Sequence, residues 1–173
     1  MASLLSSLGL RATNPLSPLP SHAASYLIFH FLFAYGVLSS RTLKQIYGLD
    51  HNVSPREDLG KYGPEAVKSG KITQKQLDMM KRTESASANS VEHYTLFVAS
   101  MLWAQMTGLP NAEINASALV YTLARVVYAA VYVLVDRPAL SQIRGLMWWT
   151  SNLVCFRLLW LGGTAINRTV ALS

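Results

Sequence analysis

Apolar side chains along this chain gather in four long stretches, separated by polar segments of very unequal length. The first stretch runs through LIFHFLFAYGVL and predicts a helix over about residues 24–40 that can continue through Lys44 beyond a membrane surface. The second covers about 87–106 and stops at Gly108-Leu109-Pro110, a helix terminator followed by a turn. The third spans about 112–135 and ends before Asp136-Arg137-Pro138, and the fourth covers 143–166. A hydrocarbon core about 30 Å thick takes roughly 20 mostly apolar helical residues. The pattern therefore predicts an all-α integral membrane protein, a four-helix bundle of four transmembrane helices in antiparallel order. Residues 1–23 and 167–173 read as tails. The polar connection, 41–86, is interrupted by Pro55, Gly60, Gly63, Pro64 and Gly70, but ITQKQLDMMKR (72–82) has a helical period that leads straight into the second span.

Composition supports this reading. Of 173 residues, 51% are hydrophobic and 14% charged, and the mean hydropathy is +0.24; soluble domains are roughly 25% charged. That excludes a disordered chain and disfavours a soluble one, and the length leaves no room for a second catalytic domain. Fifteen of the 24 ionic residues lie between Arg41 and Glu84. Nine of those are basic, and Arg137 and Arg144 join them in the third-to-fourth connection, whereas the opposite side holds only Arg11 and Arg168. The positive-inside rule places the connection in the cytosol and both termini outside or in the lumen. The net charge of +6 is thus mostly a topology signal, and no nucleic-acid partner is expected. Residues 1–23 carry Arg11 as their single basic residue and three prolines, so the first stretch reads as a retained span rather than a signal peptide. Cys155 stands alone, and no intramolecular disulfide is possible. The sequons at Asn52, Asn115 and Asn167 are short chance patterns and receive no functional weight.

A charge near the bilayer centre costs about 2.5–3.5 kcal/mol on insertion scales, so each needs a partner, a cavity or a snorkelling route. Arg82, Ser85, Asn89 and Glu92 follow one another at spacings of 3, 4 and 3, on one face of the second span. Tyr121, Arg125, Tyr128 and Tyr132 follow at 4, 3 and 4 on the third, and Arg144 opens the fourth. One explanation is a buried Glu92–Arg125 ion pair tying two helices, with the tyrosines packed between them. The polar groups outnumber what one pair requires, which favours a partly hydrated pocket open toward the cytosolic side. His30 and His93 have no metal-ligand spacing with a second ligand, and no metal site is expected. Trp103, Trp148, Trp149 and Trp160 suit packing or interface anchoring. Arg157, about 20 Å along a helix from Arg144, calls for an intersubunit partner or snorkelling to the far side.

The segment RTESASANSVEHYTLF, then ARVVYAAVYV, then LSQIRGLMW, resembles the MAPEG family (membrane-associated proteins in eicosanoid and glutathione metabolism) over approximately residues 24–166, its PREDLGKYG connection being closest to fungal members. The resemblance implies a homotrimer in the endoplasmic reticulum or another intracellular membrane, with glutathione as co-substrate between subunits near the cytosolic side. It implies a microsomal-type glutathione transferase or peroxidase acting on a lipophilic small-molecule substrate delivered from the lipid bilayer. Arg144 and Tyr132 are then the catalytic candidates, Arg144 stabilising the thiolate. Arg82, Asn89, Glu92, His93, Arg125 and Tyr128 are the glutathione-binding candidates. The chain departs from the family pattern at Ser85, where eicosanoid-type members carry Arg, and at Gly145 and Trp148, which disfavour a prostaglandin E synthase. Two other readings stay open: a glutathione-independent isomerase or cyclase working by acid–base chemistry, and a non-catalytic lipid-binding protein.

Overall fold

In a computed structural model of the chain, residues 4–12 and 18–172 are described, Thr169 and Leu172 by backbone alone. Of the predicted tail at 1–23, residues 1–3 and 13–17 lie outside them, as does Ser173. The described elements are helical: α1 (Leu4–Ser7), α2 (Ala23–Leu32) with a π-helical continuation (Phe33–Val37), α3 (Arg41–Ile46), α4 (Asp58–Lys61), α5 (Gly63–Lys68), α6 (Gln74–Met106), α7 (Asn111–Leu134) and α8 (Pro138–Leu172).

The first apolar stretch makes α2, and its regular winding lapses at Phe33, where the chain adopts the wider π turn before entering α3. A π turn disturbs the regular carbonyl pairing of the helix. Here Ser87 Oγ donates to the Ala34 carbonyl at 2.9 Å from α6. Thr73 starts α6 with a capping box: Thr73 Oγ1 accepts from the Gln76 amide (3.2 Å) and Gln76 Oε1 from the Thr73 amide (2.7 Å). The 33 residues of α6 span about 50 Å, so the helix leading into the second stretch and the stretch itself are one rod. It ends where Gly108 takes φ +70°, with the Leu109 amide donating to the Ala104 carbonyl at 3.1 Å. Pro138 begins α8, which continues to Leu172, past the predicted end at 166.

The long helices pack side by side, α8 chiefly along α7 and both against α6, around Tyr26, Phe97, Met101, Ile114, Ala118, Tyr121, Cys155 and Leu158. Small residues at the contacts, Ala104, Ala118 and Ser100 among them, bring the backbones close. Two segments, Ala23–Ile46 and Asn111–Leu134, are long and apolar enough to cross a membrane by length and composition. The helices α6 and α8 have the length, but Arg82, Glu84, Asn89 and Glu92 in one, and Arg144, Asn152 and Arg157 in the other, dilute their hydropathy.

The polar connection is more than a solvated face. It closes over a second small core of Leu49, Leu59, Ala66, Ile72, Leu77 and Met80, with Leu43 and Tyr47 against it. Buried Lys44 fastens this cap to α6, its Nζ donating to Glu84 Oε1 at 2.9 Å and to the Pro55 carbonyl, with Asp58 Oδ2 3.9 Å away. Ser40 Oγ donates to the same Glu84 oxygen at 3.0 Å.

Candidate functional site

The third-span polar stripe forms a continuous ladder. Arg125 Cζ sits 4.4 Å from the centre of the Tyr128 ring, Tyr128 meets Tyr132 edge-on at 5.6 Å, and Arg144 Cζ lies 4.4 Å over Tyr132. The 3- and 4-residue spacing stacks the α7 side chains turn on turn, and the short 135–137 link folds α8 back so that Arg144 caps the row. Exposure rises along it: Arg125 is 1% exposed and Tyr128 4%, whereas Tyr132 and Arg144 are half-buried. The accessible end of the ladder is therefore Tyr132–Arg144.

On α6, Arg82 reaches α7, its Nε donating to the Val133 carbonyl at 3.1 Å. Asn89 Nδ2 turns back onto its own helix and donates to the Ser85 carbonyl at 2.8 Å. Arg125 Nη2 donates to the Asn89 carbonyl at 3.2 Å and to Ser90 Oγ at 3.1 Å. Among the described residues no ion pair joins Glu92 to Arg125. The register sets the guanidinium opposite the Asn89 carbonyl and Ser90, while the helical period turns the Glu92 carboxylate to the exposed face. Neighbouring His93 points the other way, into the bundle, its Nδ1 3.0 Å from Tyr121 Oη. The structure thus brings Arg125, Tyr128, Tyr132 and Arg144 into one row and ties Asn89 and Arg82 to α7, but sets Glu92 outside and His93 inside it.

Glu92 lies instead on the wall of a cleft of about 570 Å³ between the end of the first span, the connection and α6. Tyr35 from the π turn, Arg41, Arg56, Glu84 and Ser87 line the same cleft. Sequence reasoning did not single out Tyr35, Arg41, Arg56 or Ser90. The cleft residues come from three separated segments, and Ser90 is one of several serines on α6 with nothing to distinguish it before the register of α7 is known. Ser85, at the position of the family arginine, is half-buried and brings no charge. Among the described residues, no group of three or more His, Cys, Asp or Glu gathers as for a metal.

Two isolated polar residues also find partners. His30 Nε2 lies 2.9 Å from Thr122 Oγ1. Arg157 pairs with the Glu113 carboxylate on α7 and reaches Ser117 Oγ at 3.4 Å, so it has a partner within its own protomer, where an intersubunit one or snorkelling was expected. The two helices run antiparallel, which sets the start of α7 beside the middle of α8.

Compared with known proteins, the sequence model of the MAPEG family matches residues 19–164. None of the curated proteins and none of the solved structures matches the chain.

Proposed function

The chain belongs to the MAPEG family, and from that premise we propose that it is a membrane-bound glutathione transferase that conjugates glutathione to lipophilic electrophiles. A membrane protein of the glutathione and eicosanoid metabolism type needs a place where a polar thiol peptide meets an apolar substrate. The observation that carries the proposal is the Arg144–Tyr132 end of the ladder, a half-buried guanidinium stacked on a tyrosine beside the exposed apolar surface of α8.

A free thiol has a pKa near 8.5, so a fixed cation is needed to hold it as thiolate at neutral pH. Arg144 supplies that cation, and the Tyr132 ring keeps the guanidinium in place without neutralising it. The thiolate sulfur forms the new C–S bond at the electrophilic carbon, and the electron pair leaves with the departing group or takes a proton at the adjacent carbon. Glu92 receives the ammonium of glutathione, while Asn89 and Arg82 meet its amide and carboxylate groups. Tyr128 closes the pocket wall, and Arg125 braces it from inside. His93 serves the site indirectly, from the bundle interior. The working assembly is a homotrimer in an intracellular membrane, with α6 and α8 as the second and fourth spans and the glutathione pocket completed by a neighbouring copy.

Purified protein in detergent is expected to gain thermal stability with glutathione and to show thiolate absorbance. Arg144→Ala is expected to abolish the absorbance while retaining the thermal shift. No shift in the wild type, with Glu92→Gln unchanged, removes the proposal. Ser85 favours a second reading, a glutathione-independent isomerase or cyclase using Tyr132 as acid or base; activity on an endogenous lipid that persists without glutathione selects it.

A further inference from the structure

The polar connection encloses a small hollow of about 120 Å³, apart from the cleft that Glu92 lines. Among its lining residues are His51, Ser54, Glu57, Lys61 and Tyr62. Three successive turns bring the first four together. The Ser54 amide donates to the His51 carbonyl at 3.2 Å, the Glu57 amide to the Ser54 carbonyl at 3.0 Å, and the Lys61 amide to the Glu57 carbonyl at 2.8 Å. Spacings of 3, 3 and 4 along such turns repeat one face, as they do on a helix. Pro55 and Arg56, between Ser54 and Glu57, line the Glu92 cleft instead. Residues 54–57 are therefore a partition, with one face on the hollow and the other on the cleft.

Ser54 is exposed, and its hydroxyl makes no hydrogen bond among the described residues. Serine followed by proline suits the start of a turn, because Pro55 fixes the backbone at the second position. The same pair, presented on an exposed turn, is what a proline-directed protein kinase accepts. The positive-inside rule places this connection in the cytosol, where such kinases work.

The hollow also carries the groups that a phosphate needs. His51 Nδ1 lies 3.0 Å from the Leu49 carbonyl and 3.2 Å from Asp58 Oδ1, both acceptors, so Nδ1 holds a proton and Nε2 is left to take up another. The His51 ring stacks on Tyr62 at 3.9 Å between centres, and Lys61 Nζ sits 5.3 Å from the centre of the same tyrosine ring. Two cationic groups thus converge on Tyr62, with exposed Glu57 as the one carboxylate lining the hollow among the described residues. Glu57 offsets part of their pull on a free anion. A phosphoryl group tethered at Ser54 is kept beside them by its own covalent bond, and it brings three strong acceptor oxygens.

We propose that Ser54 is a phosphorylation site for a proline-directed kinase, and that Lys61 and His51 hold its phosphate in this hollow. The serine oxygen forms a new O–P bond to the γ-phosphoryl group of a nucleoside triphosphate, the bond to the departing diphosphate breaks, and the hydroxyl proton passes to the kinase's base. The modified residue adjoins Pro55, whose carbonyl Lys44 holds at the cleft. Neither the transfer nor the holding involves glutathione or the Arg144–Tyr132 ladder.

The test is to treat the full-length protein in lipid nanodiscs, which are open on both faces, with adenosine triphosphate and a proline-directed serine kinase, and to locate phosphate by tandem mass spectrometry. Phosphate is expected at Ser54, with complete loss at that position in Ser54→Ala and loss of most of it in Pro55→Ala. No phosphate at Ser54, from a kinase that modifies a peptide of residues 48–60, overturns the site. Phosphorus NMR of the phosphorylated protein tests the hollow. Free phosphoserine has its second ionisation near pH 6. In the protein the midpoint is expected below that of the phosphorylated peptide, because neighbouring cations favour the dianion, and Lys61→Gln is expected to move it back toward the peptide's. A midpoint at or above the peptide's, or one that Lys61→Gln leaves in place, overturns the hollow as the holder of the phosphate.

Discussion

Arg125 illustrates how a guanidinium is held inside a helical bundle without a carboxylate. Two of its contacts are to oxygens, the Asn89 carbonyl and Ser90 Oγ, and the third is the Tyr128 ring. Removing the side chain in Arg125→Ala leaves a large cavity and an unpaired Ser90, an expected loss on the order of 3 kcal/mol in thermal or denaturant unfolding. Arg125→Lys is expected to recover only part of it, because an ammonium cannot hydrogen-bond in a plane and stack on the ring at once. Asn115 does a comparable job at the other end. Its Nδ2 donates to the Gly9 carbonyl (2.7 Å) and the Pro20 carbonyl (2.9 Å), and its Oδ1 accepts from the His22 amide (2.9 Å). Gly9 permits this approach: at φ +71° an added Cβ would stand 2.5 Å from the His22 ring. Asn115→Ala is expected to cost about 1–3 kcal/mol in the same unfolding measurement. The Asn115 sequon is expected to carry no glycan by mass spectrometry, since the amide is fully buried. Spacing alone made the one-face row of Arg125, Tyr128 and Tyr132 legible. It could not reveal that Arg125 meets Asn89 and Ser90 rather than Glu92, because that depends on the axial register of two helices, which side-chain periodicity does not contain.

At the scale of elements, the long helices were readable from hydrophobic period and terminators: α6 and α7 end within a residue or two of the Gly108 and Asp136 signals. The π turn was not readable, since Phe33–Val37 is as apolar as the helix before it, and the serine that satisfies its Ala34 carbonyl is 53 residues away. The cap was only half readable. Its prolines and glycines mark breaks correctly, but they hide that Leu49, Leu59, Ala66 and Ile72 converge on Leu77 and Met80. What joins this cap to the membrane helices is Lys44, with Glu84, Asp58 and the Pro55 carbonyl around it. Lys44→Met keeps the stem that packs among these groups and removes the charge, leaving the fully buried Asp58 carboxylate with the ring and the backbone amide of His51 as its hydrogen-bond partners. Hydrogen exchange is expected to accelerate at 58–68 in this variant and to stay unchanged along α7. Uniform acceleration, or none, would show that the cap is not fastened at this point.

For the whole molecule, the two ends of the bundle differ in kind, and this is what links charge to orientation. Gly9, Leu19, Pro20 and His22 lie against Asn111 and Asn115 beside the Gly108 turn, so the described part of the N-terminal tail and the second-to-third turn share one end. The connection shares the other with the end of α7, where Arg82 meets the Val133 carbonyl. The first end is nearly free of basic residues, whereas the connection holds nine of the chain's 15 Lys and Arg. Between the ends an apolar belt lies open on the chain, including Ile28, Phe31, Leu123, Leu146, Leu153 and Trp160; the lipid bilayer is the apolar surrounding that suits such a belt. The proposed four-span topology would sort this charge by side, and the positive-inside rule then predicts that the basic end faces the cytosol. Cys155 is buried, so a Cys155→Ser background is clean for labelling. In sealed microsomes, Lys68→Cys is expected to react with an impermeant maleimide from the cytosolic side, and Arg11→Cys only after the membrane is opened. Labelling of both from one side would mean that the chain does not cross the membrane an odd number of times between them, whereas four spans place the N-terminus and the first connection on opposite faces. Labelling of Arg11→Cys alone in sealed vesicles would keep the spans and invert the molecule, and the basic cap would then need a reason other than topology.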